Sequence, residues 1–407
     1  MVIGAGPGGS TAAAYLAQQG RRVLILEREA FPRFHIGESL LPASNLVFRE
    51  LGVHARIHAA GFTEKRGATF LFEDGRSTRI QFGENKDVVD PTTFHVGRAE
   101  FDSILLDHAQ EQGASLGQGW AVQSVERGNP FRVHCTDAAG RPQRVSCRAI
   151  VDASGRAGVL ARQFGLRRVD PDLKKVAIYA HYRGVAMPRE SAAGDIVVFA
   201  RKDLGWLWLI PLGDGRVSVG AVLGQSVHRD LRNAPGGIRL QDLFRATIGA
   251  GAVLDAAEAC TEVHTEADFS YSAARYAGPG WYLVGDAGSF LDPVFSTGMH
   301  IALSSAREAA RAIAREWGGG RSSDRKYDAR QKRRYQLYRR LVKGFYEPAF
   351  RDLFFSASPI PWIRAATVSV LSGNDDPSLK TRLGLAVFEF VARSKGRLAS
   401  ASSPRSN

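Results

Sequence analysis

The first 27 residues, MVIGAGPGGSTAAAYLAQQGRRVLILE, decide the fold of this chain. They predict a short strand, a glycine-rich turn, an Ala-rich helix and a second strand that ends on Glu27. Gly4 permits the tight turn, Gly6 lets the backbone approach a pyrophosphate, and Gly9 allows close helix–strand packing. The helix N-terminus offers free N–H groups to phosphate, and Glu27 can accept hydrogen bonds from ribose hydroxyls but would repel a 2′-phosphate. The segment predicts an α/β fold that binds FAD or NAD.

Later segments favour FAD. Residues 94–113 join Arg98 to an amphipathic helix, and residues 150–156 (IVDASGR) predict a strand that ends in Asp-Ala-Ser-Gly. Residues 281–287 (WYLVGDA) predict another strand end, where Asp286 can hydrogen bond to a ribityl hydroxyl. Over about residues 1–310 the chain resembles the Rossmann-like FAD-binding fold of the glutathione reductase and aromatic hydroxylase type. The resemblance assigns cofactor contacts to Gly4, Gly6, Gly9, Glu27, Arg28, Arg98, Gly285 and Asp286.

Three further motifs narrow the family. They are FPRFHIGESLLP at 31–42, GWLWLIP at 205–211 and GDAGSFLDPVFSTGMHIAL at 285–303. Together they resemble the flavin-dependent halogenases, and the branch that acts on phenols and pyrroles more than the branch that acts on free tryptophan. The discriminating motif is WxWxIP, which contains Trp206 and Trp208 and which related hydroxylases lack.

The resemblance implies an FADH2- and O2-dependent halogenase of specialised-metabolite biosynthesis. A separate flavin reductase delivers FADH2, dioxygen forms a flavin hydroperoxide, and chloride or bromide converts it to hypohalous acid. This acid travels through a tunnel to a catalytic lysine that halogenates an electron-rich ring, either free or tethered to a carrier protein. Trp206 and Trp208 are expected to keep the ring away from the hydroperoxide. Alternating aromatic residues in a strand also commonly fill a core, which is compatible with that role.

Lys65 is the candidate catalytic lysine. It lies in GFTEKRGATFLF, residues 61–72, which resembles the lysine segment of the family. Desolvation raises the neutral fraction of a lysine, which can then form a chloramine or, as the cation, donate a hydrogen bond to hypohalous acid. The neighbouring Arg66 must face the other way in a strand. Taken alone, Lys65 would be an ordinary solvated lysine at a strand edge.

The segment PVFSTG, residues 293–298, precedes an apolar helix and predicts an anion site, although an ordinary helix cap is the alternative. The resemblance assigns halide binding to Ser296, Thr297 and Gly298. Tryptophan halogenases carry a glutamate just before this Ser-Thr-Gly, where this chain has Phe295. The residues that could take over from that glutamate are Glu38, His35 and His300, each of which also has an ordinary structural reading.

We therefore expect an FAD-binding fold over residues 1–310 with a substrate-side β-sheet inserted at about 62–95 and 172–275. A C-terminal helical region follows over 311–397, and a disordered tail over 398–407. Only three residues precede Gly4, which is short for a first strand, so we expect the natural chain to begin further upstream.

The chain carries a net charge of +13, and residues 321–345 hold ten Arg and Lys against two Asp. This segment predicts either a solvated basic face or a docking surface for an acidic carrier protein. Its interleaved aromatic residues predict helices that pack on the FAD-binding fold. Nucleic acid is disfavoured because no binding motif occurs.

The three cysteines predict no disulfide framework and no metal site, which favours a cytoplasmic protein. No apolar run approaches the ~20 residues of a membrane span. Two alternatives to a halogenase remain open at this point. One is an FAD-dependent monooxygenase or an alkene reductase resembling geranylgeranyl reductases, and the other is a flavoprotein that does not halogenate.

Overall fold

The computed structural model describes residues 1–84, 88–203, 205–233, 239–267, 270–320, 323–356, 360–379, 381–388 and 391. The predicted tail at 398–407 lies outside the described residues. The helices are α1 Pro7–Gln18, α2 Ser44–Leu51, α3 His54–Ala59, α4 Arg98–Glu111, α5 Val159–Gln163, α6 Gln225–Asn233, α7 Leu240–Arg245, α8 Thr297–Trp317, α9 Asp324–Phe345, α10 Pro348–Phe354 and α11 Pro361–Leu371. The strands are β1 Val2–Ile3, β2 Leu24–Glu27, β3 Thr63–Lys65, β4 Gly67–Phe72, β5 Ser77–Gln81, β6 Thr93–His95, β7 Ser115–Gln118, β8 Ala121–Glu126, β9 Phe131–Thr136, β10 Pro142–Cys147, β11 Ile150–Asp152, β12 Arg167–Val169, β13 Lys175–Arg183, β14 Ile196–Ala200, β15 Trp206–Pro211, β16 Val217–Gly224, β17 Glu258–Ala259, β18 His264–Ala267, β19 Tyr271–Ala273, β20 Ala277–Gly278, β21 Trp281–Leu283 and β22 Ser289–Phe290.

A six-stranded sheet carries the N-terminal glycine turn. Its order is β20–β21–β11–β1–β2–β7, and all neighbours are parallel except β20 and β21. Helix α1 packs on the middle of this sheet and against α4 and α8. Gly4 has a φ of +94°, and a Cβ on Gly9 would lie 1.9 Å from the Gly4 carbonyl oxygen. Only glycine therefore lets α1 begin this close to the turn.

An eight-stranded sheet forms a second layer, in the order β17–β13–β16–β15–β14–β4–β5 with β18 also paired to β13. All five residues of β14 are buried, because both faces of the sheet are covered. One face packs on α7 and the residues that follow it. The opposite face carries Trp206 and Trp208 and meets α8 to α11. This opposite face is the one that faces the candidate site.

The aromatic residues of the basic segment are mostly buried against the large sheet rather than the six-stranded one. Tyr327 is the exception, because it belongs to the core under the six-stranded sheet and its hydroxyl donates to the Leu283 carbonyl at 2.7 Å. The remaining aromatic side chains cover the apolar face of β15 and its neighbours. They are Tyr335, Tyr338, Phe345, Tyr346, Phe350 and Phe354.

Half of the ten cations of this segment pair with acidic side chains of the same chain. Arg334 is only 2% exposed and binds Glu308 and Asp375. Arg339, which is partly exposed, binds Asp170. Three more cations have acidic partners, namely Arg330, Lys332 and Lys343. Arg321 lies outside the described residues. The exposed basic surface is therefore smaller than the composition suggests, which weakens the argument for an acidic docking partner.

Candidate active site

A cavity of about 540 Å³ lies between the two large sheets. Its wall begins at the glycine turn and Glu27, passes Asp286, and ends at Trp206, Trp208 and the start of α8. This volume is within the range of pockets that hold small molecules and cofactors. Of the predicted cofactor residues, those that line the cavity are Gly4, Gly6, Glu27, Arg28, Arg98, Gly285 and Asp286. Gly9 is buried, and its contribution is the close packing of α1 described above.

Glu27 lies at the end of the cavity that the glycine turn lines. Its Oε2 accepts a hydrogen bond from the Ala5 backbone N–H at 2.7 Å, and its Oε1 accepts one from the Glu29 N–H at 2.9 Å. These bonds fix the carboxylate beside the glycine turn, where ribose hydroxyls would reach it. Arg28 is exposed at the rim and pairs with Glu29.

Arg33 also reaches the glycine turn, which the sequence did not indicate. Its guanidinium Nη2 lies 3.3 Å from the position that a Cβ on Gly6 would occupy. The same guanidinium is 3.5 Å from Asp102 and 3.4 Å from Glu29. A cation and a bare glycine backbone beside one another suit a pyrophosphate. Arg33 lies within the FPRFHIGESLLP motif, but its approach to Gly6 and its pairing with the distant Asp102 appear only in the folded chain.

The middle of the cavity is organised by Arg98 and Asp286. Arg98 binds Asp102 through two hydrogen bonds of 2.8 and 2.9 Å and donates a third to the Ile36 carbonyl at 2.5 Å. It thereby holds the 35–37 segment against the cavity. Burial raises the pKa of the Asp286 carboxyl to about 6, although Arg98 acts in the opposite direction. The glycine turn, the Glu27 carboxylate and this buried acid together fit FAD.

Trp206 and Trp208 are both core residues and cavity wall. They are 2% and 4% exposed, and their ring centroids are 5.4 Å apart. The Trp206 indole N–H donates to the Tyr346 hydroxyl at 3.0 Å, which in turn donates to the Asp292 carboxylate at 2.5 Å. Trp208 donates to Ser218 Oγ at 3.2 Å. The two indoles are therefore held rigidly at the end of the cavity.

Helix α8 begins at the same end of the large cavity as Trp206 and Trp208. Ser296 has a left-handed backbone with φ +57°, and Thr297 is the first helical residue. Ser296 and Gly298 line the cavity, whereas Thr297 is 2% exposed. A Cβ on Gly298 would meet nothing within 4 Å, so open space lies beside the helix start. The unpaired N–H groups of the first turn can bind an anion there.

Lys65 ends β3 and is 1% exposed, whereas Arg66 is exposed and pairs with Glu64. The Lys65 Nζ donates to Ser39 Oγ at 2.8 Å and to the Leu40 carbonyl at 3.0 Å. Burial lowers the pKa of the Lys65 amine to about 7. Near neutral pH the amine is therefore divided between its charged and neutral forms, which an exposed lysine never is.

Lys65 does not line the large cavity but a second one of about 20 Å³. The wall of this small cavity is otherwise mostly apolar and includes Phe70, Phe82 and Phe295. Ser296 and Ile196 border both cavities. Ser296, which precedes helix α8, thus lies on the wall of the same small cavity as Lys65.

The three candidates for the missing glutamate are all engaged elsewhere. Glu38 lies 2.5 Å from the His181 ring, and His300 lies 3.1 Å from Asp375. Burial, followed by the charge of Arg98, lowers the pKa of His35 to about 4. The Lys65 amine instead donates a hydrogen bond to Ser39 and lies over the Phe82 ring, and sequence reasoning singled out neither residue.

Within the described ranges, no group of three or more His, Cys, Asp or Glu side chains could hold a metal ion. None of the helices described there combines the length and the apolar character needed to cross a membrane.

Comparison with known proteins adds independent information. A family model for the FAD binding domain matches residues 1–344. A tryptophan 2-halogenase of Chondromyces crocatus is 36% identical over 324 residues, which cover 77% of this chain and 60% of the relative. A 1H-pyrrole-2-carbonyl-(peptidyl-carrier protein) chlorinase of Pseudomonas fluorescens is 35% identical over 340 residues, which cover 77% of this chain and 75% of the relative. The chain thus spans about three-fifths to three-quarters of the length of these relatives.

Solved structures of flavoproteins have the same fold as this chain. A flavoprotein/dehydrogenase from Cytophaga hutchinsonii superposes with a TM-score of 0.88 at 28% identity, covering 97% of this chain and 98% of that one. A flavin-dependent brominase superposes with a TM-score of 0.85 at 26% identity, again over 97% and 98% of the two chains.

Proposed function

Because this chain belongs to the flavin-dependent halogenases, we propose that it uses reduced FAD, dioxygen and chloride or bromide to halogenate an electron-rich aromatic ring. A separate flavin reductase supplies the reduced FAD. The ring is a phenol or a pyrrole, because Phe295 stands where the tryptophan-acting branch carries glutamate.

The observation that carries the proposal is the setting of Lys65. An amine with a pKa of about 7 is buried beside a mostly apolar cavity whose wall also includes Ser296, at the start of α8. Burial costs the charged amine its hydration, and the carboxylate of Asp195 offsets this cost only in part. Perturbed amines of this kind are characteristic of functional sites.

FAD would be held by the residues along the large cavity. The Glu27 carboxylate receives the ribose hydroxyls, the glycine turn and Arg33 receive the pyrophosphate, and Asp286 receives the ribityl chain. When bound, reduced FAD with dioxygen supplies the oxidising power that converts halide into hypohalous acid. The halide binds at the backbone N–H groups of Thr297 and Gly298, beside Ser296.

Lys65 then transfers the halogen. Its neutral amine attacks hypohalous acid, so that an N–halogen bond forms, the halogen–oxygen bond breaks and water leaves. The aromatic ring takes the halogen from the amine, and the proton lost from the ring carbon restores the N–H bond. Trp206 and Trp208 wall the end of the large cavity and keep the ring away from the oxidant that forms there, while the space beside Lys65, about 20 Å³, widens to admit the ring.

The ring could be free or tethered to a carrier protein. A tethered substrate is supported by the name of the Pseudomonas fluorescens relative, which acts on a pyrrole carbonyl held by a peptidyl-carrier protein. The cations left exposed on α9, such as Arg325, Lys326 and Arg333, could contact an acidic carrier.

The test is a reconstituted reaction with FAD, NADH, a flavin reductase, and chloride or bromide. Phenols and pyrroles, each free and loaded on a carrier protein, serve as substrates, and mass spectrometry detects the isotope pattern of chlorine or bromine in the product. We expect halogenated product with the wild type and none with Lys65→Ala. Arg66→Ala, which removes the exposed neighbour, is the matched control and should retain activity.

Two results would overturn the proposal. One is a hydroxylated or reduced product that forms without halogen and at a rate independent of halide. The other is full halogenation by Lys65→Ala, which would assign the transfer step to another group.

A further inference from the structure

We propose that Ser39 is the positioning residue for Lys65 and links its amine to the large cavity, in place of the glutamate that Phe295 replaces. This inference rests on the proposed function and deepens it.

Ser39 takes part in a short series of hydrogen bonds. Its Oγ accepts a hydrogen bond from Lys65 Nζ at 2.8 Å and another from Ser296 Oγ at 3.2 Å. Ser39 is 6% exposed, so water does not compete freely for these bonds. These hydrogen bonds therefore connect the Lys65 amine through Ser39 to Ser296, the residue that precedes helix α8.

The backbone on either side of Ser39 is fixed. The Leu40 N–H donates to the Phe94 carbonyl at 3.0 Å, and the Val96 N–H donates to the Glu38 carbonyl at 2.8 Å. The Leu40 carbonyl holds Lys65 Nζ at 3.0 Å as well. Ser39 thus stands on a rigid strand-like segment, which is what positioning of a flexible lysine side chain requires.

The two cavities show where this series of hydrogen bonds leads. Ser39 lines the large cavity and Lys65 lines the small one, while Ser296 lines both. Phe295 cannot receive or donate a proton, and it is buried in the core with 5% exposure. Ser39 therefore offers the amine a polar connection to the large cavity.

Two titratable groups face Lys65 from the surrounding strands. Asp195, before β14, stabilises the charged amine, but its carboxylate is bound by Arg79 at 2.7 Å and Thr69 at 3.1 Å. His95 on β6 is kept neutral by burial and by the charge of Lys65, and its Nε2 bonds to the Gly194 carbonyl at 3.0 Å. Neither contacts Ser39 Oγ through these bonds, so a change at Ser39 leaves both in place.

The proton balance of the link is simple. When the charged amine becomes neutral, its N–H bond towards Ser39 breaks and an O–H bond forms on Ser39. Because Ser296 donates to Ser39, both hydroxyls first rotate so that Ser39 donates to Ser296 and Ser296 points into the large cavity. The original hydroxyl proton of Ser39 then passes to Ser296, and the proton of Ser296 passes to a solvent water in the large cavity. One positive charge leaves the amine and no electrons are transferred.

The test measures the Lys65 amine directly, by NMR titration of protein labelled with ¹³Cε-lysine. The signal of Lys65 is assigned by its loss in Lys65→Met. Ser39→Ala removes an acceptor of the charged amine, so we expect the titration midpoint to fall by about one to two pH units. Ser39→Thr keeps the hydroxyl and should restore the midpoint. Halogenation at pH 7 is followed in parallel, where we expect kcat of Ser39→Ala to fall about tenfold or more with KM for the ring unchanged.

Ser44→Ala is the matched control. Ser44 is a buried serine of the following helix, and its hydroxyl has no partner among the described residues. Its loss should leave both the midpoint and kcat unchanged.

An unchanged midpoint in Ser39→Ala overturns the inference, whatever product the enzyme makes. An equal shift in Ser44→Ala overturns it too, since the effect would then be general. A shift confined to Ser39→Ala, with no halogenated product from the wild type, supports the Ser39–Lys65 link and overturns the proposed function instead.

Discussion

Replacement of Lys65 by methionine should change how the stability of the protein depends on pH. Burial lowers the pKa of the Lys65 amine from 10.5 to about 7, a difference of about 3.5 units. The unfolded chain therefore binds more protons than the folded one between these two values, and stability from this group rises with pH across that window. At about 1.36 kcal/mol per unit, the buried amine costs between 4 and 5 kcal/mol at pH 6 and roughly 1 kcal/mol at pH 9.5.

Lys65→Met carries no proton and is free of this penalty. We expect its stability relative to the wild type to decrease by roughly 3 kcal/mol between pH 6 and pH 9.5. Urea unfolding at both pH values, followed by tryptophan fluorescence at one FAD concentration, measures the difference. The extra strength of the hydrogen bonds that the charged amine makes to Ser39 and Leu40 is already contained in its pKa of about 7, so only the part common to both protonation states cancels in this comparison.

Arg66→Met is the control, because its side chain is exposed and should show no pH-dependent difference. A stability difference between Lys65→Met and wild type that stays constant within about 0.5 kcal/mol across this range would refute the reasoning. The Lys65 amine would then have an ordinary pKa, and the argument for its catalytic role would lose its physical basis.

Three further predictions concern other parts of the molecule. Glu27→Ala should weaken FAD binding about tenfold to a hundredfold, measured by flavin fluorescence titration, because charge-assisted hydrogen bonds to ribose are lost. Arg334→Ala should destabilise the fold by about 1.5 to 3 kcal/mol in urea unfolding, because its buried charged hydrogen bonds to Glu308 and Asp375 are lost although Arg330 still pairs with Glu308, whereas the exposed Arg333→Ala should change stability little. Tyr346→Phe should cost about 1 to 3 kcal/mol in the same assay, since the Trp206 indole N–H loses its acceptor; an unchanged midpoint would show that the bond does not matter.

The FAD-binding fold and the family were predictable because their signals are local. The glycine turn with its flanking strands lies within 27 residues, and the predicted α/β fold and halogenase family are confirmed by the match over residues 1–344 and by the relatives. Lys65 and Arg66 also point apart as expected, although Arg66 lies just after β3 and not within it. In both cases a short stretch of sequence determines where the side chains point.

The remaining features depend on contacts between distant parts of the chain. Ser39 meets Lys65 across 26 positions and Ser296 across 257, and neither spacing has a sequence signature. Arg339 likewise finds Asp170 across 169 positions, so the net charge of its segment alone could not reveal how much of it is neutralised. Such pairings exist only once the sheets and helices have come together.

Ser296 and Ile196 border both the large cavity and the small one that Lys65 lines. At about 20 Å³ the small cavity has room for a water-sized oxidant but not for an aromatic ring. The size of the ring that reaches Lys65 is then limited by the side chains around the amine, and replacement of Phe70 or Phe82 by a smaller residue should admit bulkier rings without altering the start of α8.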